Sequence, residues 1–247
     1  MPFRTLIPLT LACALAAAAA VPAQADSAQA ASARREPFCA THKCIALTFD
    51  DGPADYTETL LKTLATYHAK ATFFVIGNRV EKHPKLTAMI AKAGHEVGNH
   101  TWDHKYLTDL TYEQINKEIG DAQRIITKAT GKAPVLFRAP GGLRNGGVEE
   151  ITAKFGLIQI PGTVATKDYI KDYRDVGVLT SRALDVAGEG EVVLMHETVK
   201  QTVQSLPAVL KKLTAEDYHF VTVSTLLEGQ ELIPGQVYPE QSSVVAG

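Results

Sequence analysis

The chain has 247 residues, 45% of them hydrophobic, and a formal net charge of -2. That length supports one large domain or two small ones with a sizeable core. The near-neutral balance gives no electrostatic basis for binding nucleic acid or an anionic membrane.

Residues 1–25 carry Arg4, an apolar run from Leu9 to Val21 and the small-residue site Ala23-Gln24-Ala25. This is the pattern of a secretory signal peptide cut after Ala25. Cleavage removes Cys13 and leaves Cys39 and Cys44. Two cysteines in an oxidising compartment are expected to pair, closing a short loop before the first strand. A metal site using Cys39, His42 and Cys44 is the alternative. Residues 26–38 are small and polar and read as a flexible leader. Residues 39–229 show no internal repeat or linker and read as one catalytic-sized domain, and 230–247 as a C-terminal tail. The protein is expected to be secreted or wall-associated, free of the membrane after cleavage, and monomeric.

Strand-like runs, mostly β-branched or aromatic, occur at Ile45–Phe49, Ala71–Ile76, Glu96–Gly98, Val135–Arg138, Leu157–Ile160, Val192–Met195 and His219–Val223. Helical patterns occupy Thr57–Tyr67, Pro84–Lys92, Thr111–Thr130, Gly147–Phe155, Val176–Val186 and Thr202–Leu213. Pro84 suits a first helical turn, and Gly131 suits a stop. Such alternation predicts a parallel sheet, open or closed into a barrel. In that architecture functional groups gather at the C-terminal strand ends.

The polar clusters fall at those ends. The first strand ends in Asp50-Asp51, the third runs into "GNHTWDH", and the fourth ends in "FRAPGG". The fifth leads to "TKDY" and the sixth ends in "VLMHE". His100 and His104 are four apart, which on a helical turn puts them on one face. Two imidazoles with Asp51 at the same rim make a three-ligand site with open positions. Zn²⁺ suits two nitrogens and an oxygen; Co²⁺ or Ni²⁺ are alternatives. Side chains alternate along a strand, so Asp50 and Asp51 are expected to point different ways. One acid can then bind the metal while the other accepts a proton from water.

"TFDDGP", "HTWDH", "FRAPGG", "KDY" and "LMH" together resemble the polysaccharide deacetylases, carbohydrate esterase family 4 with the NodB homology domain. The resemblance spans about residues 40–228. It implies a distorted (β/α)₇ barrel that hydrolyses N-acetyl groups of chitin or peptidoglycan, or O-acetyl groups of xylan. It assigns Asp50 as general base and Asp51, His100 and His104 as metal ligands. It makes His196 the general acid, with Arg138 orienting the base and Asp168 holding the acid. Leu194 lines the acetyl pocket, and the Gly141 N–H helps hold the oxyanion. Tyr169, Trp102 and Tyr106 are candidates for stacking on sugar. Two positions depart from the family pattern. Gly141 replaces an aromatic, which predicts a wider cleft, and Ala165 stands where another Asp is common. A non-catalytic polysaccharide-binding protein and a small-molecule amide hydrolase are the alternative functions.

Overall fold

The computed structural model describes residues 1–3 and 36–239. The expected signal peptide beyond Phe3, the leader up to Arg35 and the tail from residue 240 lie outside the described residues.

Strand β1 (Cys44–Gly52) is buried along nearly its whole length. A strand covered on both faces needs consecutive apolar residues, which Ile45, Ala46 and Leu47 supply. It lies between β2 (Thr72–Val75) and β7 (Val192–His196). Beyond β2 come β3 (Glu96–Asn99), β4 (Leu136–Phe137) and β5 (Ile158–Gln159); beyond β7 comes β6 (Val164–Ala165). Strand β8 (His219–Phe220) pairs with Cys44 and Ile45 at the start of β1. Every one of these ladders is parallel. The sheet ends at β5 and β6, so it is a half-barrel, the distorted barrel that the motifs imply.

Helices α1 (Thr57–Thr66), α3 (Pro84–Lys92), α4 (Tyr112–Thr130), α5 (Gly146–Lys154), α6 (Val176–Asp185) and α7 (Lys200–Ala215) fall where the periodicity puts them. Helix α4 starts with a capping box between Thr111 and Gln114 and stops at Gly131, at φ 77°. Phe49 and Phe73 are fully buried, with ring centroids 5.3 Å apart. Burying each contributes roughly 1.5–3 kcal/mol.

Three elements differ from expectation. Strand β6 makes eight strands instead of seven. Helix α2 (Gly77–Lys82) follows β2 directly, and Val223, expected in a strand, opens α8 (Val223–Leu226). Part of the expected tail also returns to the sheet. Gln236 O accepts from Gln159 N, and Tyr238 N donates to Gln159 O, both at 2.9 Å. These bonds occupy the exposed edge of β5. Cys39 and Cys44 form a disulfide, with Cα atoms 5.5 Å apart. His42 stacks instead on Phe38, at 4.0 Å.

Candidate active site

Asp50 and Arg138 meet across the sheet. Arg138 Nη1 donates to Asp50 Oδ1 at 2.7 Å, and both side chains are 3% exposed. The same guanidinium donates to Thr48 Oγ1 at 2.7 Å and from Nε to Ile160 O at 2.8 Å. Its face lies 4.1 Å from the Phe74 ring centroid. Burial pulls the Arg138 pKa down, while the Asp50 charge and hydrogen bond push it up. Three contacts, to Thr48, Ile160 and Phe74, thus anchor the guanidinium that fixes one Asp50 oxygen, and the other faces His100.

Asp51 does not face away from Asp50, as simple alternation predicts. Its φ is 70°, and the β1–β2 register shifts between Asp50 and Gly52. This bulge brings both acids to one imidazole: His100 Nε2 lies 3.8 Å from Asp50 Oδ2 and 3.6 Å from Asp51 Oδ1. His104 Nε2 lies 3.4 Å from Asp51 Oδ1. The ligand atoms of Asp51, His100 and His104 are all within 4.8 Å of one another.

The histidine pair is not on a helix either. Thr101 and His104 have φ of 66° and 65°, so the loop after β3 turns through left-handed backbone. Side chains hold it there. Asn99 Oδ1 accepts from Thr101 N at 2.9 Å, and Thr101 Oγ1 accepts from His104 N at 3.1 Å. Buried Glu118 of α4 accepts from the N–H groups of Trp102 and Asp103, at 3.0 and 3.1 Å.

The donor set fits a divalent cation. His100 Nδ1 is 2.7 Å from the Arg138 carbonyl, so it carries the proton and Nε2 presents a lone pair. Burial lowers the His100 pKa, against the raising effect of Asp50 and Asp51, which keeps the ring neutral. Asp51 Oδ1 is buried and has no hydrogen-bond partner. A lone pair facing a carboxylate oxygen is repulsive, and a cation between them removes that repulsion.

His196 faces these groups from β7, as the register partner of Asp50. Its Nδ1 lies 2.7 Å from Asp168 Oδ1. Asp168 is fully buried, and its Oδ2 accepts from His196 N at 2.8 Å and Thr202 Oγ1 at 2.6 Å. Burial alone would lower the His196 pKa, but the Asp168 hydrogen bond and charge, with Asp50 and Asp51, raise it to about 9. Tyr169 sets its ring edge-on, 6.0 Å from the imidazole, with about half its surface exposed.

The other expected residues are distributed around this centre. Leu194 packs on Gly162 beside the β6–β7 ladder, where it pairs with Ala165. Gly141 sits at φ 63°, and a Cβ there would meet Tyr106 Cε1 at 2.8 Å. Tyr106 therefore fills the place of a side chain at 141, and half its surface is exposed. The expectation of a wider cleft takes no account of that ring. Trp102 packs its indole on Gly77 of α2 and is half-buried.

Two buried acids escape sequence reasoning. Glu118 follows Ile115 by three and precedes Ala122 by four on the buried stripe of α4, a spacing that could have revealed it. Glu197 is fully buried beside Gly52, with Thr57 bonded to one oxygen and no partner on the other. A Cβ on Gly52 would collide with the Glu197 carboxyl, so the absence of a side chain at 52 makes room for it. Burial chiefly pushes Glu197 up to about 8.

The family model described as polysaccharide deacetylase matches residues 39–160. The peptidoglycan-N-acetylglucosamine deacetylase PgdA of Listeria monocytogenes is 38% identical over 203 residues, 82% of this chain and 42% of that protein. The chain thus spans less than half of that relative. A peptidoglycan-N-acetylglucosamine deacetylase of Bacillus cereus is 38% identical over 191 residues, 75% of this chain and 88% of the relative. The structure of the peptidoglycan deacetylase PdaC from Bacillus subtilis superposes with a TM-score of 0.72 at 38% identity, covering 76% of this chain and 91% of that one.

Proposed function

This chain belongs to the polysaccharide deacetylase family, and from that membership we propose that it is a secreted, metal-dependent hydrolase that removes acetyl groups from a cell-wall glycan. The observation that carries this reading is the convergence of Asp50, the Asp51–His100–His104 cluster and His196 at one rim. The names of the relatives favour N-acetylated peptidoglycan as substrate. Export rests on the N-terminal sequence pattern; among the described residues no helix is long and apolar enough to cross a membrane.

Asp51, His100 and His104 would hold the cation, with Zn²⁺ best matched to two nitrogens and one oxygen. Bound there, it supplies Lewis acidity to a water and to the acetyl carbonyl. Asp50, held by Arg138, takes the proton from the water as it attacks. The Gly141 N–H donates to the oxygen on which charge develops. His196, protonated at neutral pH and held by Asp168, gives its proton to the leaving sugar amine. Acetate and a free amine are the products.

A non-catalytic binding protein would have no need of a buried, arginine-held acid opposite a carboxylate-held histidine. Acetate release from peptidoglycan, chitin oligomers and acetylxylan tests the proposal, each before chelation, after it and with Zn²⁺ restored. Release from peptidoglycan that stops on chelation and returns with metal is expected. Release from none of the three would overturn the reading.

A further inference from the structure

Helix α2 places two cations beside the proposed metal ligands. Arg79 and Lys82 stand three residues apart, so they share a helix face. Both line two clefts, each with a cavity volume of about 340 Å³. One cleft also contains Asp51, Asp103 and His104; the other contains Asp55 and His83. A single surface therefore leads from the ligands of the proposed metal to the two cationic side chains.

Neither forms an ion pair among the described residues, although the Arg79 charge acts on the buried Glu197 carboxyl, which burial pushes up to about 8. The ion pairs formed by lysine and arginine among the described residues use Lys105, Lys117, Arg124, Arg138 and Lys212. Arg79 and Lys82 are in none of them. Asp103 is already paired with Lys105, at 2.9 Å, and Asp51 is committed to the metal cluster. Asp55 is the one remaining carboxylate in the two clefts, against Arg79 and Lys82. Arg79 is half-buried, where a charge-assisted hydrogen bond gains strength. A neutral glycan offers no charge that would pair with two cations lining the same cleft as Asp51 and His104.

We propose that these clefts form a subsite for a carboxylate carried by the glycan, seated on Arg79 and Lys82 while the acetyl group lies at Asp51, His100 and His104. The inference rests on the deacetylase reading and narrows its substrate to an acidic glycan, one bearing lactyl or peptide carboxylates near the acetylated sugar.

The test compares wild type with the Arg79→Gln/Lys82→Gln variant on three oligomers of equal length. These are a peptide-bearing muropeptide, the same glycan with its peptide removed, and a neutral N-acetylglucosamine oligomer. The ratio of kcat/KM for muropeptide over neutral oligomer should fall about tenfold in the variant, mainly through KM. Raising the salt should lower that ratio in wild type and leave it unchanged in the variant. An effect that survives peptide removal assigns the lactyl carboxylate, and one lost with the peptide assigns the peptide carboxylate; both uphold the subsite. An unchanged ratio overturns it. Wild type that releases no acetate from any oligomer overturns the deacetylase reading instead. Calorimetric binding of the muropeptide then decides the subsite, and equal affinity of the two proteins overturns it.

Discussion

Arg138 holds Asp50 by a 2.7 Å hydrogen bond between two side chains that are both almost wholly buried. The pair joins β1 to the end of β4, and its other anchors are Thr48 and Ile160. Removing one member of a buried pair strands the other's charge. Arg138→Met is expected to destabilise the fold by about 3–5 kcal/mol and to lower turnover. Denaturant unfolding checks this, and a loss below about 1 kcal/mol would contradict it.

The His196–Asp168 pair sets a pH window. The folded pKa of about 9 lies above the ordinary 6.5. The pair's contribution to stability is therefore complete below pH 6.5 and is lost as pH rises through about 9. The protonated acid disappears over the same range, so turnover should fall along an alkaline limb. Asp168→Asn removes the main raising influence and leaves burial, which lowers the pKa. The alkaline limb of kcat should move to lower pH by at least about one unit. An unmoved limb in the pH–rate profile would detach Asp168 from the acid.

Glu197 titrates in the same direction for a different reason. Burial raises it to about 8 from 4.5, and Asp51 adds to the rise against Thr57 and Arg79. Its contribution to stability is complete below pH 4.5 and is lost as pH rises through about 8. Glu197→Gln cannot titrate and can still accept from Thr57. The variant should gain on wild type by at least about 1 kcal/mol between pH 6 and pH 9. Parallel stability curves across that range would contradict this.

Glu118 ties down the loop between the two histidines. Glu118→Ala leaves the Trp102 and Asp103 N–H groups unpaired and should weaken metal binding about tenfold. Glu118→Gln keeps an acceptor and should retain most of the affinity. Competition against a chromophoric chelator measures both. Wild-type affinity in the alanine variant would remove Glu118 from the support of the site.

Much of this site was legible because polar residues interrupt apolar strands at one end of a parallel sheet. Asp50, Arg138 and His196 stand at the rim for that reason. Less regular features were hidden. Strand β6 has two residues and no periodicity to detect. Helix α2 begins at a glycine and buries only Gly77 and Val80, so it shows no apolar stripe. Alternation misplaced Asp51 because a bulge is a backbone event without a fixed residue signature. His100 and His104 have the spacing of a helical pair, but Asn99, Thr101 and Glu118 bend their loop through left-handed backbone. Tyr106 reaches Gly141 from 35 residues away in sequence, a contact that only the fold creates.

The central claim is that Asp50 works as a base beside a metal that Asp51 helps to hold. Acetate release by Asp50→Asn protein, with bound metal counted on the same sample, tests it most directly. The account predicts wild-type metal content and a loss of roughly 10²–10⁴-fold in turnover that added metal does not restore. Turnover near that of wild type, or loss of the metal together with the activity, would contradict it.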